Sequence, residues 1–208
     1  MEKLRQLKGP AAPLLRINID TDTIAPGSRR ATAGKPRQFS EKGTDLAKNL
    51  FAALRYDEFD NELPDFVLNQ PRYRHARFLI AGANFACGSS RESACWMLSD
   101  FGIRCVIAPS FGEIFHGNCF KNGMLPIACD WDTVQRLAED ALRGDFELDV
   151  ESGTLTTPSH SIAFALPEFR RIALLDGLEE IEVTLGRKAD IDVFQERDRL
   201  ARPWVYLR

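Results

Sequence analysis

The feature that most limits what this chain can fold into is an alternation of strand and helix signals from residue 77 to residue 142. It opens with the most apolar run of the sequence, Arg77-Phe-Leu-Ile-Ala-Gly82, which reads as a buried strand. A helix over 91–101, a strand over 104–108, a helix near 110–121, a short strand at 125–128 and a helix at 131–142 are expected to follow. The order β-α-β-α-β favours α/β packing with parallel strands and right-handed crossovers. After Gly144 the pattern changes to short strands around 146–150, 154–157 and 161–165, with Glu151-Ser-Gly153 as the first turn. A helix from Pro167 to Leu175, a strand over 179–185 and a C-terminal helix over 189–200 complete the reading.

Upstream, residues 14–19 alternate partly and fit a strand, which Asp20-Thr-Asp-Thr-Ile-Ala-Pro26 leaves through an Asx turn or a helix cap. Residues 26–42 combine Pro26, Gly27, Gly34 and Pro36 with Arg29, Arg30, Lys35, Arg37 and Lys42, the composition of a basic, mobile loop. Leucines at 46, 50 and 54 mark residues 45–56 as an amphipathic helix, and Asp57 to Tyr73 is loop-rich. The 208 residues are enough for one domain, spanning 1–208, that folds without a metal or disulfide.

A formal net charge of −3 argues against nucleic acid as the main partner. No apolar run is long enough for a membrane span, and the first nine residues lack the apolar core of a signal peptide, so the cytoplasm is the expected compartment. The five cysteines, Cys87, Cys95, Cys105, Cys119 and Cys129, contain no C-x-x-C pair and read as free, packed thiols rather than metal ligands.

Directly behind the apolar strand lies Asn84-Phe-Ala-Cys-Gly-Ser-Ser-Arg-Glu-Ser93. Ser89 to Glu92 is S-x-x-E, the pattern of a capping box at a helix start. The same turn, with Ser89, Ser90 and Arg91 before a helix, also suits a carboxylate, which an arginine can hold through two parallel hydrogen bonds. The residues alone leave both readings open. A serine-hydrolase elbow, a P-loop and a dinucleotide fingerprint are all absent, and His75, His116 and His160 form no recognisable triad order. Cys87 as a nucleophile is the thiol-enzyme alternative.

Five segments in order carry a family resemblance: Asn18 to Pro26, Asn84 to Glu92, Val106-Ile-Ala-Pro-Ser-Phe-Gly-Glu-Ile-Phe-His-Gly-Asn118, Asn122-Gly-Met-Leu-Pro126, and Leu174 to Leu178 with Ile181 to Leu185. Together they resemble the small subunit of bacterial 3-isopropylmalate dehydratase, from the aconitase superfamily. The resemblance implies an α/β fold, a swivelling β/α/β domain of aconitase type with a hairpin-containing C-terminal portion. It also implies a heteromeric hydro-lyase of leucine biosynthesis, active only with a large subunit that carries a [4Fe–4S] cluster, and a dicarboxylate substrate. Carried over residue by residue, Ser89 resembles the proton-transfer group, while Arg91, Asp22, Ser90 and Arg30 resemble substrate-binding residues. This chain reads Arg91-Glu-Ser-Ala-Cys-Trp-Met-Leu98 where the family usually has Arg-Glu-His-Ala-Pro-Trp-Ala-Leu, and its loop from Ile24 to Arg30 also differs. A paralogue acting on citramalate or dimethylmalate, and a non-catalytic binding module on the same fold, are the alternatives.

Overall fold

The computed structural model describes residues 1–26, 28–30, 36–38, 46–88 and 91–206. Two strands come first, β1 (Gln6–Gly9) and β2 (Ala11–Leu14), divided at Pro10, which has no N–H to continue a ladder. The expected strand at 14–19 therefore lies further upstream, because residues 15–19 already belong to the turn that leaves it. A one-turn helix α1 (Thr21–Ile24) follows, capped by Asp20, whose carboxylate accepts from the Thr23 N–H at 2.7 Å. Within the basic segment, β3 (Ser28–Arg30) pairs antiparallel with β4 (Pro36–Gln38), where a loop was expected, and the rest of that expected loop after Pro26 lies outside the described residues.

The helix expected over 45–56 is broken. A 3₁₀ turn at Leu46–Lys48 and the short α2 (Ala52–Arg55) are separated by Phe51 at φ 52°, a left-handed conformation that no continuous helix accommodates. Leu46 and Leu50 are nevertheless buried, as their spacing required.

The expected alternation then appears as β5 (Phe78–Ala81), α3 (Ser93–Phe101), β6 (Cys105–Ala108), α4 (Glu113–Lys121), β7 (Leu125–Ala128) and α5 (Trp131–Asp140). Strands β2, β5, β6 and β7 form a parallel sheet in that order. Both faces of its central strands are covered, which explains their unbroken apolar runs. Because side chains alternate, Leu79, Ala81, Val106 and Ala108 join one core with α3 and with Phe115 and Cys119 of α4. Phe78, Ile80, Cys105 and Ile107 join the other, with Val134 and Leu137 of α5.

The second core also receives an antiparallel sheet, in which β1 pairs with β8 (Phe146–Asp149), then β9 (Thr154–Thr156) and β10 (Ser161–Ala163). Phe146, Leu148 and Leu155 point inward from it and meet Leu174 of α6 (Glu168–Asp176). Residues 179–185 correct the sequence reading: they form the helix α7 (Glu180–Leu185), started by a capping box between Glu179 and Glu182. The last helix, α8 (Lys188–Ala201), contributes no buried residue.

One polar clasp fastens the β9–β10 turn to α5. The Asp140 side chain is 1% exposed and accepts from His160 Nδ1 at 2.6 Å and from the Thr157 hydroxyl. Burial pushes its pKa up, but hydrogen bonds from Thr157, His160 and Ser159 outweigh that and hold it at about 2. The folded state thus favours the carboxylate. Its contribution is full above the ordinary aspartate value of 3.8 and is lost as the pH falls through about 2. Urea unfolding of the wild type and Asp140→Asn is expected to show the gap between them shrinking by about 2 kcal/mol on acidification through that window. A constant gap would remove the clasp as its cause.

Candidate active site

In a parallel sheet all carboxyl ends open on one side, and the loops leaving them line a shared crevice. Here the loops after β2, β5 and β6 are stitched together by backbone. Asn18 N–H donates to Ala83 O at 2.9 Å, Ala86 N–H to Ile19 O at 2.6 Å and Thr21 N–H to Cys87 O at 3.0 Å. On the other side Phe85 N–H donates to Ser110 O at 3.0 Å and Gly112 N–H to Phe85 O at 2.8 Å. The middle loop, from Ala83 to Cys87, is therefore gripped from both neighbours.

Sharp local conformations accompany this grip. Asn18, Asn84 and Ala86 all have φ between 54° and 58°, and the Asn84 amide donates to Asn18 Oδ1 at 2.9 Å. Asparagine tolerates that region, whereas alanine does so at a cost of about 1 kcal/mol. Gly88 has φ 91°, and a Cβ on Gly112 would lie 2.4 Å from Ala86 O, so both positions require glycine. The backbone pinned here leads straight into the serine–arginine segment.

Two of the residues selected from the sequence meet at this crevice. Arg91 Nη1 forms an ion pair with Asp22 Oδ1, bringing the first turn of α1 to the entry of α3. The Arg91 side chain is 45% exposed and that of Asp22 62%, so both are open to a ligand. Asp20, two residues earlier, is spoken for as the α1 cap, and the Thr23 hydrogen bonds hold its carboxyl below the usual range. Arg30 is on β3, opposite Pro36. Ser89 and Ser90 lie outside the described residues.

The capping box read from Ser89 and Glu92 is not how α3 begins. The helix starts at Ser93, Glu92 is itself the capping position, and its side chain makes no cap hydrogen bond. Instead Glu92 Oε1 accepts from the Asn122 amide at 2.9 Å. Cys95 donates its backbone N–H to Glu92 O at 3.0 Å, a bond that a proline at this position could not make. Asn84 and Asn122 are positioning side chains that the sequence motifs alone do not reveal. The signal available was the dipeptide Asn122-Gly123, a turn former at the end of a helix.

The cysteines behave as packed thiols. Cys95, Cys105 and Cys119 are buried, Cys87 and Cys129 partly so, and burial pushes the Cys105 and Cys119 thiols up, toward the protonated form. Among the described residues no group of three His, Cys, Asp or Glu is arranged to hold a metal ion, and no helix is long and apolar enough to cross a membrane. An iron–sulfur cluster does not fit this set of donors.

The site is thus an arginine–aspartate pair at the carboxyl-end crevice of a parallel sheet packed on an antiparallel layer. The model of the aconitase C-terminal domain matches residues 1–131. A 3-isopropylmalate dehydratase small subunit from Dinoroseobacter shibae is 48% identical, covering 99% of this chain and 100% of its own length. The small subunit from Paramagnetospirillum magneticum shows the same identity and coverage. The solved 3-isopropylmalate dehydratase structure from Methanocaldococcus jannaschii superposes with a TM-score of 0.60 at 25% identity, covering 93% of this chain and 99% of that one. The chain belongs to the 3-isopropylmalate dehydratase small-subunit family of the aconitase superfamily.

Proposed function

We infer that this chain is the small subunit of a two-subunit hydro-lyase that interconverts 3-isopropylmalate and 2-isopropylmalate by dehydration and rehydration, in leucine biosynthesis. The observation that carries this reading is the pairing of Asp22 with Arg91 at one crevice, in a chain matched end to end by small subunits of that enzyme. The whole chain, 1–208, works as one swivel-like domain in the cytoplasm. The large subunit is its partner and holds the [4Fe–4S] cluster, which supplies Lewis-acid polarisation of the substrate hydroxyl.

What this chain contributes is binding, orientation and proton transfer. The Arg91 guanidinium offers a planar pair of N–H donors to a substrate carboxylate, and Asp22, displaced from that guanidinium, faces the hydroxyl end. Ser90 and Arg30 add donors to the anion. Ser89 takes the proton from the carbon next to a carboxylate on dehydration and returns it on rehydration at the neighbouring carbon.

The test is an anaerobic ultraviolet assay of alkene formation, with this chain alone and mixed with the reconstituted large subunit. The substrates are 3-isopropylmalate, citramalate and dimethylmalate. Turnover of 3-isopropylmalate by the mixture alone is expected. Preference for another malate reassigns the substrate, and activity of the isolated chain overturns the partner-cluster mechanism.

A further inference from the structure

The dehydratase reading leaves Asn122 without a role, yet its side chain makes three hydrogen bonds, one of them to the residue that follows Arg91. It closes α4 as the capping residue. Its Oδ1 accepts from the Trp96 indole N–H at 3.0 Å. Its Nδ2 donates to Asn118 O at 2.9 Å and to Glu92 Oε1 at 2.9 Å. The amide can point only one way, because an indole N–H only donates, while a carbonyl and a carboxylate only accept.

The turn that carries it is equally fixed. Gly123, at φ 67°, presents its carbonyl to Arg104, whose Nε and Nη2 donate at 3.0 and 2.8 Å. Arg104 is itself buried and paired with Glu2. A rigid turn thus holds an amide against the residue that immediately follows Arg91. Glu92 O in turn receives the first N–H bonds of α3, from Cys95 at 3.0 Å and Trp96 at 3.3 Å.

We propose that Asn122 is a positioning residue for Arg91, acting through Glu92 and touching no substrate itself. Its amide fixes the Glu92 carboxylate and thereby the backbone from which Arg91 reaches the crevice. This assignment rests on the dehydratase reading for its catalytic consequence, but the coupling of Asn122 to Glu92 can be measured without it.

In Asn122→Asp the donor becomes a second carboxylate facing Glu92, while the acceptor for Trp96 is kept. In Asn122→Asp with Glu92→Gln, a glutamine amide again donates across the gap. Amide hydrogen exchange on the isolated chain is expected to speed up about tenfold at Cys95 and Trp96 in the single variant. The double variant should return to within about threefold of wild type, with β5 and β6 unchanged throughout. In the two-subunit assay the single variant should raise KM for 3-isopropylmalate about tenfold, with kcat changed much less and KM rescued in the double variant.

Unchanged exchange at Cys95 and Trp96 overturns the proposal, as does faster exchange spread over β5 and β6, which would mark general destabilisation. Accelerated exchange with an unchanged KM overturns the positioning of Arg91. If the wild-type mixture does not turn over 3-isopropylmalate, the functional reading fails, and exchange still decides whether Asn122 holds Glu92. Should Asn122→Asp not fold, Glu92→Ala removes the same bond from the other partner and must give the same pattern.

Discussion

Replacing Ser89 by alanine is expected to lower kcat of the assembled enzyme by about 10²–10⁴, the usual worth of a positioned acid–base group. Binding of the large subunit and KM should change little, since the substitution removes one hydroxyl and leaves the arginine in place. A serine is an effective base only as its alkoxide, and a nearby cation favours that anion by lowering the pKa of the hydroxyl. Arg91, two residues on in the sequence and paired with Asp22, is a cation suited to that part. The measurement is steady-state turnover beside a pull-down of the large subunit on the tagged variant. Wild-type kcat in a fully assembled complex would remove Ser89 from the chemistry.

Exchanging Arg91 for lysine should raise KM for the dicarboxylate by about 10–100-fold with a smaller effect on kcat. The estimate is the loss of about 1.5–3 kcal/mol when a charge-assisted, two-point hydrogen bond becomes a single point charge. The resting ion pair with Asp22 does not oppose substrate strongly, because both partners are about half exposed or more and such pairs are worth about 0–1 kcal/mol. On the proposed function the two carboxylates compete for one guanidinium, and substrate is expected to win by using both of its N–H edges. Michaelis curves for Arg91→Lys and Asp22→Asn separate these effects. The arginine variant should lose affinity, whereas the aspartate variant should lose turnover without losing the carboxylate grip. An unchanged KM in Arg91→Lys would assign carboxylate binding elsewhere.

Much of this architecture was legible before any coordinates. Strands β5, β6 and β7 and helices α3, α4 and α5 fall where the periodicity placed them, because their central strands are covered on both faces and leave little freedom to the pattern. The residue order around Gly88 also marked the crevice, and the structure brings Asp22 and Arg91 together there. Local patterns misled at two segments. Ile181, Val183 and Leu185 alternate as in a strand, yet none is buried, and the Glu179–Glu182 capping box decides for helix. Leucines 46, 50 and 54 have helical spacing, but packing Phe51 into the core required a left-handed residue that splits the segment.

The sequence by itself determined the parallel sheet and put the glycine–serine–arginine segment at the turn after β5. The tertiary structure alone decided how that turn is held. Glu92 satisfies a local capping pattern on paper, but helix α4 presents an amide to it from thirty residues away. A carboxylate half withdrawn from water goes to the donor that geometry brings nearest, and separation along the chain does not record that distance.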